Sequence, residues 1–375
     1  MIKLTHRNRR HMYRFVSIDK LMQLFGCLIF TSACLLILYV EIVPPMPPSP
    51  MPPSKSLSLR NKNKGKQSIV SSPKEDGFVY ICITGQLSRL ELDTKIEKVI
   101  RPISDRYSDV RVALSLFMET KNFVNEEKSS DFVSPYSIQT ARLMLMQNGA
   151  KTVNVYSVEH NDDIPINQNI INNYDKFYST PDLKKKRAYG HIRQYESLYN
   201  CKHGLSDVET VPLFVVRLRD DLYVHSFDVD KIVDELHYSP MHSGRTIITP
   251  MCASWFGLND KIAIVSGQYA SLYFRSPLET YQRPMIEKWV INPETYYLST
   301  FLNHGFFIFR SEHLEVVPTT LKQLDNCKAF VPRGEASCEL DIIQKVESNG
   351  LKCMSVPTSC GKKIHYDETL WIAMT

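Results

Sequence analysis

The sequence predicts an α/β protein: a Rossmann-like, mostly parallel sheet flanked by helices. Two observations carry this. Runs 78–84, 110–117, 152–158 and 212–217 are continuously apolar rather than alternating, as strands buried on both faces are. Between them, 90–103, 135–147 and 182–201 show helical spacing, which gives βαβ units. Later segments are shorter: strands at 246–249, 262–265 and 306–310, and helices at 268–273 and 293–302. The C-terminal part reads as mixed, and Gly149 suits a helix C-cap.

The chain before this domain has a different character. Residues 1–20 hold Lys3, Arg7, Arg9, Arg10, Arg14 and Lys20 against Asp19. Residues 21–40 carry no charge, and a helix of that length spans about 30 Å, the thickness of a bilayer core. The run exceeds the apolar stretch of a cleaved signal peptide, so one retained transmembrane helix is expected. The basic side stays cytoplasmic, which places the rest of the chain across the membrane. Seven prolines between 44 and 53, then a Ser-, Lys- and Asn-rich stretch, predict a disordered stem over 41–76. The expected order is a tail (1–20), an anchor (21–40), a stem (41–76) and a globular domain (77–375).

From residue 77 onward, 33 basic residues face 36 acidic ones. That balance gives no electrostatic footprint for nucleic acid. Cys327, Cys338, Cys353 and Cys360 cluster late without a CxxC pair, which favours one or two disulfides among them over zinc. Cys82, inside an apolar run, reads as a buried thiol, and Cys201 and Cys252 either pair with each other or stay reduced. Asn-x-Ser/Thr is absent from the sequence, so N-glycosylation is not expected.

Ligands of open α/β sheets bind at the carboxyl ends of strands, and the unusual residues fall there. Gly85, Gln86 and Arg89 follow the first strand, where exposed amides and a guanidinium suit a phosphate, although a glycine there often only makes a turn. Arg217, Arg219, Asp220 and Asp221 end the strand PLFVV. Such charges are costly beside an apolar strand unless paired or used, so they make either an ion-pair cluster or a divalent-cation and diphosphate site. Asn259 and Asp260, in Gly257-Leu258-Asn259-Asp260-Lys261, form either a plain Asx turn or a loop presenting an amide, a carboxylate and an ammonium.

Gly-Gln-x-x-Arg, Arg-x-Arg-x-Asp and Gly-Leu-Asn-Asp-Lys-x-Ala, in this order, resemble the motifs of GT-A-type glycosyltransferase-like proteins. The resemblance spans about 78–309. It implies a GT-A-like fold and, with the type II topology, a Golgi or endomembrane enzyme. That enzyme would move a sugar from a nucleotide-diphosphate donor to a hydroxyl of a glycan, glycoprotein or glycolipid. Asp221 is the motif acid and Asp220 an extra carboxylate; together they would hold Mn²⁺ or Mg²⁺. Gly85, Gln86, Arg89, Arg217, Arg219 and Asn259 would contact the nucleotide sugar. Asp260 is the first candidate for general base and Glu294 the second. Departures from the pattern are Asp220 where proline is usual, Lys261 where Gln or Arg is usual, and Ile262 where Phe is usual. His365 reads as a surface histidine or a late metal ligand. Lys184, Lys185, Lys186 and Arg187 read as a solvated helix start, with Arg193 and Gln194 facing the cleft. The competing class is a non-catalytic lumenal binding protein on the same fold. A sulfotransferase would need a phosphosulfate loop that TGQLSR does not supply, and no paired-carboxylate signature of a glycoside hydrolase stands out.

Overall fold

The computed structural model describes residues 75–118, 136–158, 164–165, 167–174, 180–206, 210–238, 244–252, 257–283, 287, 289–323, 328–334 and 337–348. The predicted tail and anchor, nearly all of the stem, His365, Cys327, Cys353 and Cys360 lie outside them. Among the described residues no helix is long and apolar enough to cross a membrane.

Strand β1 (Glu75–Gln86) starts two residues inside the expected stem, because Glu75 pairs with Tyr107 and accepts a 2.8 Å bond from Arg106. A broken helix comes next: α1 (Asp93–Lys95), a π turn (Ile96–Ile100) and α2 (Arg101–Arg106). Then come β2 (Tyr107–Phe117), α3 (Ile138–Gln147), β3 (Thr152–Ser157), α4 (Gln168–Tyr174), α5 (Pro181–Asn200) and α6 (His203–Ser206). Strand β4 (Phe214–Arg219) turns at once into β5 (Leu222–Phe227), then α7 (Val229–Tyr238), β6 (Thr246–Pro250) and β7 (Ile262–Ser266). The chain continues through α8 (Ala270–Tyr281), α9 (Pro293–Asn303), β8 (Phe307–Ser311), β9 (Leu314–Gln323), β10 (Lys328–Pro332) and α10 (Ser337–Ser348).

Among the described residues seven strands form one sheet in the order β3-β2-β1-β4-β7-β6-β8. Only β7 runs against the others, so the expected mostly parallel α/β sheet is what forms. A second, antiparallel sheet of β10-β9-β5 grows from the end of β4. Side chains alternate across β4. Phe214, Val216 and Leu218 enter one core with the π turn, α2, α3 and α7, while Val215 enters the other beneath α5, α8 and α9. The same period of two puts Arg217 and Arg219 on the α5–α9 face, where an apolar strand turns charged.

Two disulfides revise the cysteine reading. Cys82 is buried but bonded to Cys201, with Cα atoms 6.0 Å apart. The last turn of α5 packs on β1, and Tyr80 donates a 2.8 Å bond to the Cys201 carbonyl, which brings the two sulfurs together. Cys252 pairs with Cys338, 5.8 Å between Cα atoms, and so ties α10 to the segment before the Gly-Leu-Asn-Asp loop. Cys201 and Cys252 therefore do not pair with each other, and Cys338 pairs outside its own cluster.

Candidate active site

All three motifs meet at the carboxyl end of β1 and β4. Thr84 is in register with Arg219, and Asp220 donates its amide to the Thr84 carbonyl at 2.8 Å. The Asp220 carboxylate then folds back over the first turn. It accepts the Gln86 amide at 2.8 Å and a two-pronged guanidinium contact from Arg89, with Nε at 2.9 Å and Nη2 at 2.8 Å. Gly85 makes this possible: its φ is +132°, and a Cβ there would sit 2.2 Å from Asp220 Cγ. The glycine is thus explained by a neighbouring carboxylate. Burial drives the Asp220 pKa up, and Arg89 only partly offsets it.

Asp221 turns the other way. Arg219 grips it with Nε at 2.5 Å and Nη2 at 3.2 Å, and Arg89 Nη1 lies at 3.5 Å. Burial opposes ionisation, but Arg219 and Arg89 overcome it and hold this carboxyl far below the usual range. Its backbone is fixed from the second sheet, since Thr319 donates its amide to the Asp221 carbonyl at 2.7 Å. Arg219 continues to Asp260, with Nη1 to Oδ2 at 2.6 Å, and Lys261 Nζ stands 3.5 Å from Asp260 Oδ1. Burial again opposes the charge, yet Arg219, Lys261 and Arg217 hold Asp260 at about 2.

The loop carrying Asp260 is shaped by Asn259. Its amide donates to the Cys252 carbonyl at 3.0 Å, and its Oδ1 accepts the Lys261 amide at 2.8 Å. Asn259 therefore makes the Asx turn, one of the two readings open for it. Gly257 lets this loop lie against the start of α9, because a Cβ there would sit 2.1 Å from the Glu294 carbonyl carbon. The Leu258 amide bonds the Glu294 carbonyl at 2.9 Å. Asn292 caps α9 in a reciprocal box with Thr295, which sets Glu294 in the first helical turn. A helix N-terminus favours a carboxylate, but here burial and then the Asp260 charge dominate and raise Glu294 to about 7.

Arg217 is nearly inaccessible, at 1% exposure, and makes a 3.3 Å bond to Thr84 Oγ1. Its guanidinium carbon lies 6.0 Å from the Tyr297 ring centroid. Among the described residues its Nη2 and Tyr297 Oη are buried atoms without a hydrogen-bond partner, and Asp260 Oδ1 has the Lys261 ion pair alone.

Several contributors were not singled out from sequence. Lys95 is fully buried and donates to the carbonyls of Glu91 at 2.5 Å, Asp220 at 3.0 Å and Leu222 at 2.5 Å. It staples the acidic tip to α1. The Glu91–Lys95 spacing of four reads as an ordinary surface pair, so nothing in the sequence marks it as internal. His191 on α5 is buried and driven down to about 3, first by burial, then against the pull of Asp260. Arg187, one turn earlier, adds repulsion, so the basic run is not wholly solvated: of its four residues only Lys185 is exposed. Arg193 sits 5.7 Å over the Phe117 ring, and Gln194 is half-buried.

The expected metal pair does not fit a divalent cation as placed. Each carboxylate oxygen of Asp220 and Asp221 already accepts from a guanidinium, and Asp220 Oδ2 also takes a backbone amide. Among the described residues no group of three or more His, Cys, Asp or Glu is placed to hold a metal ion.

No protein-family model matches the chain. No curated protein matches it either. Among solved structures it is similar to the glycosyltransferase GlyE of Streptococcus pneumoniae TIGR4, at 10% identity over 62% of this chain and 45% of that one, with a TM-score of 0.32. It therefore spans less than half the length of GlyE. It is similar to mouse xyloside xylosyltransferase 1 at 8% identity, over 62% of this chain and 84% of that one, with a TM-score of 0.27. It is also similar to a cytidylyltransferase from Leptospira borgpetersenii at 11% identity, over 77% of this chain and 98% of that one, with a TM-score of 0.30. Likeness at this level assigns neither fold nor chemistry; both rest on the strand order and the geometry of the site.

Proposed function

We propose that the chain is a GT-A-like glycosyltransferase that moves a sugar from a nucleotide-diphosphate donor to an acceptor hydroxyl. The observation that carries this is the convergence of three sequence-distant motifs on one strand end, with a carboxyl tuned to about 7 beside them. Transfer needs a base for the acceptor hydroxyl and positive charge for the departing diphosphate. Glu294 suits the first role, because a group titrating near neutral pH can both take and return a proton. Asp260 does not: locked to Arg219 and held at about 2, it is too weak a base. The order of the two base candidates therefore reverses. Asp260 orients Arg219 and Lys261, while Arg217, Arg219 and Lys261 supply positive charge. The base role applies to transfer with inversion. The acceptor is a glycan, glycoprotein or glycolipid, and the setting is a Golgi or endomembrane lumen reached through a type II anchor.

A second reading is a non-catalytic lumenal binding protein on this fold. What favours it is the closed pairing of Asp220 and Asp221 with arginines. Nucleotide release from UDP- and GDP-sugars by the full-length chain separates the two. Turnover that Glu294→Gln abolishes supports the enzyme; binding without turnover supports the alternative.

A further inference from the structure

In place of a divalent cation, this site offers arginine. We infer that the donor's diphosphate is bound by guanidinium groups, Arg217 foremost, and that binding requires no metal ion; this rests on the nucleotide-diphosphate reading proposed for the site. Three observations meet here.

The first is saturation. Asp220 and Asp221 give their oxygens to Arg89, Arg219 and the Gln86 amide, at 2.5 to 3.2 Å. A metal would have to displace guanidinium groups that are themselves buried or half-buried, and it would leave those cations unpaired. The second is the charge count. Asp220, Asp221 and Asp260 stand against Arg89, Arg217, Arg219 and Lys261. With Glu294 protonated, three negative groups face four positive ones, an excess of one cation that an ionised Glu294 or a bound anion balances. The third is where that excess sits. Arg217 is 1% exposed, and its guanidinium keeps Nη2 buried without a hydrogen-bond partner among the described residues. A buried orphan donor on a charged group costs several kcal/mol unless something uses it.

Arginine's planar fork matches two phosphate oxygens at once, which a metal would otherwise bridge. Arg217 and Arg219 lie two residues apart on one face of β4, but Arg219 gives Nε and Nη2 to Asp221 and Nη1 to Asp260, which leaves Arg217 as the guanidinium to address a diphosphate.

The test is a calorimetric titration of UDP, GDP and inorganic pyrophosphate into the full-length chain, once in EDTA and once in excess Mn²⁺. The expected result is binding of a nucleoside diphosphate in EDTA, with affinity changed less than threefold by Mn²⁺. Binding seen only with Mn²⁺ overturns the inference and leaves the transferase reading standing. Binding of none of these probes under either condition removes both. Electron paramagnetic titration of Mn²⁺ alone adds an independent readout: no tight site is expected, and a bound ion lost in Asp221→Asn would contradict the inference. Arg217→Met should weaken nucleotide binding at least tenfold without lowering the melting temperature; unchanged affinity would also contradict it.

Discussion

Glu294 is the residue whose environment says most about chemistry, and the same environment makes a stability prediction. Its pKa is raised from 4.5 to about 7, so the folded state holds a proton more tightly than the unfolded chain. That contribution is full below about pH 4.5 and is lost as pH rises through 7. Gln imitates the protonated form and does not titrate. Glu294→Gln should therefore match wild type at pH 4.5 and exceed it by about 2 kcal/mol at pH 9, discounted from about 3 because the residue keeps some solvent contact. Urea unfolding at both pH values reads this directly; equal stability at pH 9 would mean the carboxyl titrates normally. Gly85 gives a second check. Alanine there would meet Asp220 Cγ at 2.2 Å and sit at a left-handed φ, so a loss of about 3 kcal/mol or more is expected. A variant as stable as wild type in the same assay would show that Asp220 does not fold over this turn.

At the scale of elements, the strands of the main sheet were the legible part. Continuous apolar runs announced β1, β2 and β4, and their helices fell where spacing put them; β3 was placed too, but as an edge strand it is mostly exposed rather than buried on both faces. Strands β5, β9 and β10 and helices α4, α6, α7 and α10 were not anticipated. Leu222–Phe227 alternates buried with half-buried residues and carries His225, so it lacks the continuous apolar signature. The motif positions were legible too, but their partners were not. Sequence places Arg89 and Asp220 far apart, and only the β1–β4 pairing makes them contacts. Pairing of cysteines was likewise invisible, since it depends on α5 ending over β1. The Cys252–Cys338 bridge spans 86 residues and restrains the segment whose carbonyl holds Asn259. Replacing both cysteines by serine should cost about 3 kcal/mol. Proteolysis should then cut first near residues 252–260; a cleavage pattern like that of wild type would show that the bridge does not hold this loop.

Over the whole molecule, buried charge makes stability fall with acid. Burial drives the His191 pKa from 6.5 down to about 3, so its stabilising contribution is present above 6.5 and is lost as pH drops toward 3. Asp260, lowered from 3.8 to about 2, adds a second loss below pH 4. Between pH 6.5 and 4.5 this loss is offset by the gain from protonating Glu294, so wild type stays level there and the His191 loss shows from pH 6.5 in Glu294→Gln. Adding His191→Gln to that variant should remove the first decline and leave the one below pH 4. Thermal melts between pH 3 and 8 would show two legs in Glu294→Gln and one in the double variant; a single leg in both would place His191 outside the core.

Glu294 as the proton acceptor at a site that activates a sugar is the claim on which the functional account stands. Its most direct test is the pH dependence of nucleotide release from a UDP- or GDP-sugar by the full-length chain, wild type beside Glu294→Gln. A base with a pKa of about 7 is active when deprotonated, so kcat/KM should climb about tenfold for each pH unit below 7 and level off above it. The variant should lose at least a hundredfold at pH 8. A flat wild-type profile, or a variant that turns over donor as fast as wild type, would contradict the account.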